Sequence, residues 1–365
     1  MPPPTDIHKL MLPHLVQAEA YAAIDPPDVL AQEAGIAEDQ IIKLDGNENL
    51  YGPSPKVKEA LAAYKSYHIY PDPQQRKVRN ALADYTGATA DRIVAGVGSD
   101  ELIDLLLRLF VGPGDVVIQA VPTFAMYATF TELAGGKLVS VPRDETFDVD
   151  VEAIRRAAGN GAKVIFLASP NNPTGNLVSE AAVRKLLDLG ALVVVDEAYA
   201  EFAGQSLVHL VPQYNNLVVL RTFSKWAGLA GMRIGYGVMD PAVAERLLVI
   251  KPPYNISVAS EVAMLASLQD KELLQGRVAH LVQERHWLFG QLQQMPNLTP
   301  IPSEANFILC RLTQGKGHEV YRALARRGIF VRYYNNALLR DYIRTSVGLR
   351  YHNQALVNAL QEILS

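Results

Sequence analysis

The sequence predicts an α/β fold: a large unit with a mainly parallel sheet flanked by helices, plus a smaller α+β unit. Three observations carry this. Short β-branched apolar runs recur between residues 93 and 239 and have the composition of fully buried strands. Amphipathic segments of helical period lie between many of them, the alternation of an α/β sheet. From about Val258 the pattern changes to a long helical stretch followed by separate strand-like runs. At 365 residues the chain exceeds the length at which a single core usually stops growing, so two compact units are expected.

The opening 1–40 hold several prolines and weak periodicity, and are expected to form an arm that packs on something else. The large unit is assigned to 41–257, with packing of its first residues on the small unit left open, and the small unit to 258–365. Strands of the large unit are expected at IVAGV near 93, DVVIQA near 115, KVIFLAS near 163, ALVVVDE near 191, LVVLRT near 217 and RIGYGVM near 233. DELIDLLLRLF from Asp100 and SEAAVRKLLDLG from Ser179 have helical period, with Gly190 placed as a helix stop. In the small unit the helical stretch runs through VQERHWLFGQLQQM, and NFILCRL, GIFVR and YIRTSVG supply strands. No internal repeat or low-complexity tract is present.

Composition narrows the function classes. A formal charge of −4 with no Lys/Arg block argues against a nucleic-acid partner. The lone Cys310 sits in an apolar run, so it reads as a buried strand residue without a disulfide, and a reducing, cytoplasmic setting is expected. No stretch approaches the roughly 20 apolar residues of a membrane span, and the start lacks the pattern of a signal peptide, so no membrane partner is expected. The eight histidines are scattered without HxxxH or HxH pairs, which gives no reason to expect a metal. No GxSxG string suggests a serine hydrolase.

The most informative segment is TFSKWAGLAGMRIGYG, in which Lys225 follows a buried strand and precedes small residues and Arg233. A lysine held at a strand end in a partly desolvated site loses basicity and can form an imine with an aldehyde. Alone it would more often be a solvated loop residue; its neighbours change that. Asp196 ends the apolar strand of ALVVVDEAYAEF, where an unpaired carboxylate costs several kcal/mol and calls for a cation such as a protonated pyridine nitrogen. Its plain alternative is a helix N-cap. Tyr199 could offer its phenol to an oxygen on the same ring, and so could the amide of Asn172 in the turn SPNNPTG. That turn lies at the carboxyl end of a strand, where ligands of α/β sheets gather.

A phosphate would fit GVGSDELI, a strand, a glycine turn and a helix start with the backbone N–H groups of Ser99 and Asp100 free to bind an anion; Glu101 belongs to the same motif. The hydroxyls of Thr222 and Ser224 and the guanidinium of Arg233 would complete the cup. A dinucleotide turn is the competing reading, but neither the further glycine nor the later acidic residue of that fingerprint is in place.

In order and spacing, Asn172, Asp196, Tyr199, Lys225 and Arg233 resemble the fold-type I pyridoxal-phosphate-dependent aminotransferases, and the motifs GVGSDE, SPNNPTG, DEAY and SKWAGLAGMRIGY are similar to their class II branch across nearly the whole chain. Within it, LDGNENLYGPSP, YPDPQ, PTFAMY and GIFVRYYNNALLRDYIRTSVG resemble the histidinol-phosphate aminotransferase subfamily. The resemblance implies pyridoxal 5'-phosphate bound through Lys225, with Asp196 on the pyridine nitrogen, Asn172 and Tyr199 on the ring oxygen, and Ser99, Asp100, Glu101, Thr222, Ser224 and Arg233 around the phosphate. It implies that Phe124 stacks on the ring, where relatives often carry tyrosine. It also implies a homodimer in which Tyr70 reaches the partner's phosphate site.

On the substrate side it implies that Arg344 binds the α-carboxylate of the amino donor, Arg332 a second anion, and that Tyr21, Asn47 and Tyr254 are further contacts. The implied reaction exchanges an amino group between histidinol phosphate and 2-oxoglutarate, with glutamate as the other amino compound. Two alternatives share the cofactor motifs: an aminotransferase of aromatic amino acids and a threonine-phosphate decarboxylase. A non-catalytic regulator built on the same domain would carry a fused DNA-binding domain, for which the arm is too short and too poorly patterned.

Overall fold

The computed structural model describes residues 6–16, 23–159, 161–313 and 315–365, and places the chain around two sheets. Their strands, in chain order, are β1 (Ile42–Leu44), β2 (Ile93–Val97), β3 (Val116–Val121), β4 (Lys137–Pro142), β5 (Val164–Ala168), β6 (Leu192–Asp196), β7 (Leu217–Thr222), β8 (Ile234–Val238), β9 (Leu298–Pro300), β10 (Phe307–Leu312), β11 (Ile329–Tyr333) and β12 (Tyr342–Ser346). The larger sheet has seven strands in the order β2-β8-β7-β6-β5-β3-β4. Only β8 runs against its neighbours β2 and β7; the remaining pairs are parallel, as the alternating strands and helices predict.

The central strands β5, β6 and β7 are buried along their whole length, because helices cover both faces. Their side chains divide by the two-residue period of a strand. Ile165, Leu167, Val193, Val195 and Val219 point into one core, and Val164, Phe166, Val194, Val218 and Leu220 into the other. Each fully buried Val, Leu or Ile contributes about 1.5–3 kcal/mol relative to exposure, so these strands hold a rigid frame at their carboxyl ends. The same period places Asp196 on the face of Val194, and Thr222 on that of Leu220.

One strand of this sheet escapes a search for apolar runs. KLVSVP forms the edge strand β4, half open to solvent, so only part of its length is apolar. The helix from Glu180 to Leu187 begins where Ser179 accepts the Ala182 N–H at 3.2 Å, and Gly190 follows its end with φ +75°.

The smaller sheet runs β1-β11-β12-β10-β9. Strand β1 pairs in parallel with β11 (Ile42 opposite Ile329), so the segment opening the expected large unit gives its strand to the other sheet. The remaining pairs are antiparallel. The long helical stretch is two helices, Val258–Gln269 and Lys271–Gln293, separated at Asp270. Cys310 is buried on β10, and burial pushes its thiol pKa up. Among the described residues no helix is long and apolar enough to cross a membrane.

Candidate active site

The carboxyl ends of β5, β6 and β7 open into a cleft of about 1100 Å³, which the ends of the smaller sheet also line. Most residues singled out from the sequence meet there: Asn47, Ser99, Asp100, Phe124, Asn172, Asp196, Tyr199, Thr222, Ser224, Lys225, Arg233, Arg332 and Arg344.

Lys225 is held by what flanks it. Phe223 and Trp226 are fully buried and contact each other at 5.3 Å, and Trp226 stacks on Tyr85, so the backbone between them has little freedom. Its Nζ donates to the Gly46 carbonyl at 3.0 Å and forms no ion pair among the described residues. Burial, and then the positive charge of Arg344, lower its pKa to about 8 from the 10.5 of a free lysine. Because the unfolded chain binds this proton more tightly than the folded one, the ammonium form opposes folding. That cost is complete below about pH 8 and disappears as pH rises toward 10.5. Lys225→Met should therefore raise the Tm of the cofactor-free chain at pH 7, with a gain that shrinks by pH 10; thermal melts across that range check it, and a pH-independent difference would contradict it.

Asp196, at the end of β6, is not a helix N-cap: the short helix that follows, Ala200–Ala203, is preceded by Tyr199 at its cap position. The carboxylate is buried and accepts from the Tyr127 hydroxyl at 2.8 Å and the Ala198 N–H at 3.0 Å. Among the described residues it forms no ion pair, and burial raises its pKa to about 6. Across the cleft the Tyr199 hydroxyl receives the Asn47 amide at 3.0 Å, and burial pushes its own pKa up to about 12, so the phenol stays protonated.

Beside these lies a cup of donors. The Gly98–Phe110 helix starts against β8, and Gly235 permits the approach, since a Cβ there would lie 2.4 Å from the Ser99 nitrogen. Gly98 adopts φ +71°, and a Cβ on it would stand 2.6 Å from Arg233 Nη2. Arg233 pairs with Asp100 at 2.9 Å, and Thr222 donates to the Ser224 hydroxyl at 2.9 Å. Glu101 does not enter the cleft; its carboxylate accepts the Val97 N–H and the Asn255 amide, each at 2.7 Å, and so organises the helix start from outside.

Arg344 and Arg332 are opposite one another on β12 and β11. Arg344 is buried, donates to Asn172 Oδ1 at 2.6 Å and to the Asp45 carbonyl, and forms no ion pair among the described residues; its Nε is buried without a hydrogen bond. A buried guanidinium with no acid beside it is suited to an incoming carboxylate. Arg332 donates to the Ala23 carbonyl at 3.4 Å and lies 5.9 Å from the ring of Tyr334.

Two expected contacts lie elsewhere, and a third is not among the described residues. Tyr70 and Tyr254 stack on each other at 4.5 Å, exposed and outside the cleft of this chain, and Tyr21 lies outside the described residues. Asn47 lines the cleft, but its amide is engaged by Tyr199 and Ser346. Conversely, sequence reasoning passed over Tyr127, three residues after Phe124 in the quoted PTFAMY, and the run Tyr334–Leu339 that borders the cleft after β11. The signal for Tyr127 was its place in the quoted PTFAMY, and for the second segment its place in the quoted GIFVRYYNNALLRDYIRTSVG, although neither motif gave these residues a role.

This donor set fits a phosphorylated pyridine aldehyde. Lys225 would meet the aldehyde, the buried Asp196 carboxylate, which forms no ion pair among the described residues, would meet a protonated ring nitrogen, and the helix start, hydroxyls and Arg233 would meet a phosphate. The comparisons agree. The family described as aminotransferase class I and II matches residues 39–360. A histidinol-phosphate aminotransferase of Roseiflexus castenholzii is 48% identical over 369 residues, covering 99% of this chain and 100% of the relative. The chloroplastic histidinol-phosphate aminotransferase of Nicotiana tabacum is 46% identical, covering 96% of this chain and 85% of that one. Among solved structures, histidinol-phosphate aminotransferase from Sinorhizobium meliloti in complex with pyridoxal-5'-phosphate superposes with a TM-score of 0.86 at 27% identity, over 97% of both chains. The chain belongs to the class I and II aminotransferases, and within them to the histidinol-phosphate aminotransferase family.

Proposed function

We propose that the protein is a pyridoxal-phosphate-dependent histidinol-phosphate aminotransferase of histidine biosynthesis, exchanging an amino group between L-histidinol phosphate and 2-oxoglutarate to give imidazole acetol phosphate and L-glutamate. The observation that carries the reading is the meeting, in one cleft, of an amine and a carboxylate that form no ion pair among the described residues and a guanidinium with a buried N–H unused: Lys225, Asp196 and Arg344.

In this reading Asp196 faces the cofactor's ring nitrogen, Asn172 and Tyr199 its ring oxygen, and Phe124 the ring face. Ser99, Asp100, Thr222, Ser224 and Arg233 surround its phosphate. When bound, pyridoxal phosphate supplies an aldehyde that captures amines and a ring that takes up the electrons left at Cα. Lys225 Nζ accepts the proton from the substrate Cα, a task suited to an amine with a pKa of about 8. Arg344 binds the donor's carboxylate through its planar fork, and its bond to Asn172 links that event to the residue on the ring oxygen. Arg332 beside it supplies the second positive charge that a dianionic substrate needs.

The reading includes a cytoplasmic homodimer in which the exposed pair Tyr70 and Tyr254 faces the partner's cleft, and a division into units at 41–257 and 258–365 with β1 contributed to the smaller sheet. Tyr21, on the arm, is assigned to the substrate side.

Amino transfer to 2-oxoglutarate from histidinol phosphate, phenylalanine, tyrosine and phosphothreonine tests the substrate. Histidinol phosphate should lead the aromatic donors in kcat/KM by about a hundred-fold or more, since a site built for a polar group leaves that group unpaired with an analogue that lacks it. A higher kcat/KM for phenylalanine, or release of carbon dioxide from phosphothreonine, would overturn the assignment.

A further inference from the structure

Tyr127 has a constrained position. It lies on the Met126–Leu133 helix, fully buried, with its ring stacked on Phe166 of β5 at 4.7 Å and 3°, and perpendicular to Phe124 at 5.7 Å and 85°. These two contacts fix the plane of the phenol, so its hydroxyl is directed to Asp196 Oδ2, 2.8 Å away, while the Ala198 N–H occupies Oδ1. Burial and the neighbouring carboxylate hold the phenol pKa well above its ordinary value, so the hydroxyl is a donor throughout the working range of pH.

The geometry points to Tyr127 as the positioning residue that keeps Asp196 ionised and aimed into the cleft, an inference that rests on the reading of Asp196 as the partner of the cofactor's ring nitrogen. Four other features face this carboxylate. Burial raises its pKa, the Ala198 N–H lowers it, Asp100 on the Gly98–Phe110 helix raises it, and Lys225 after β7 lowers it. The nearby Tyr199 is a neutral phenol. Tyr127 gives the only side-chain hydrogen bond among these influences. Without that donor the ionised form loses support, the carboxyl pKa rises, and the anion is lost at higher pH than before. The aromatic packing needs only the ring, so phenylalanine separates the hydroxyl from the fold.

The test uses the holoenzyme and the variants Tyr127→Phe, Asp196→Asn and their combination, reading the Kd for pyridoxal phosphate and the pH profile of kcat/KM. Tyr127→Phe should weaken cofactor binding about ten-fold and move the acid limb up by about one pH unit, the size of one hydrogen bond to a charged group. In the Asp196→Asn background the same substitution should change the Kd little. An unchanged Kd and acid limb, or equal weakening in both backgrounds, would overturn the inference, the second by showing that the residue only packs. If Asp196→Asn binds cofactor as tightly as the unaltered enzyme, the underlying reading of Asp196 fails as well, whereas a defect in Asp196→Asn alone leaves that reading standing and removes only the role of Tyr127. Should Tyr127→Phe not fold, 3-fluorotyrosine at 127, a stronger donor, should move the acid limb down; an unmoved limb overturns the inference.

Discussion

Lys225→Ala should lower kcat by roughly 10⁴-fold or more, because it removes both the covalent anchor and the base for the Cα proton. Cofactor should still bind, though more weakly, since Asp196, Asn172 and the donors around Arg233 remain in place. Lys225→Arg should be nearly as inactive: it keeps a positive charge but presents a group that does not deprotonate in this range. Single-turnover measurements with glutamate would separate the chemical step from binding. Turnover within ten-fold of the unaltered enzyme would contradict the role given to Lys225.

The second large effect belongs to Arg344. Truncating one partner of a buried, hydrogen-bonded charge contact costs about 2–5 kcal/mol, so Arg344→Ala should reduce kcat/KM for glutamate by roughly 10² to 10³-fold. Much of the loss should appear in KM, because the fork binds the carboxylate before and during the reaction. Arg344→Lys should recover little of it, a point charge being unable to span both carboxylate oxygens and Asn172 at once. Half-reaction kinetics with glutamate provide the measurement, and an unchanged KM would move carboxylate binding to another residue.

What could be read from the sequence follows the locality of the physics. Strands β2, β3 and β5 to β8 were legible because burial on both faces demands continuous apolar runs. Edge strand β4 was not, because one side meets solvent and dilutes its pattern. The pairing of β1 with β11 joins residues nearly 290 positions apart (Ile42 opposite Ile329), and no local pattern encodes such a partner. At the site, Lys225 and Asp196 stood out because charged groups at the ends of apolar strands need a reason to be there. Glu101 shared the motif of Ser99 and Asp100, yet its carboxylate turns back to Val97, a choice made by helix-start geometry rather than by composition. Tyr127 was hidden for the opposite reason: an aromatic residue in an apolar helix looks like core, and only its contact with Asp196 makes it more than that.

The most direct test of the central claim is reduction of the holoenzyme with borohydride, followed by proteolysis and mass mapping. The absorbance band of the bound cofactor should disappear, and one pyridoxyl group per chain should be found on the peptide containing Lys225. A label on any other lysine, or a band that survives reduction, would contradict it.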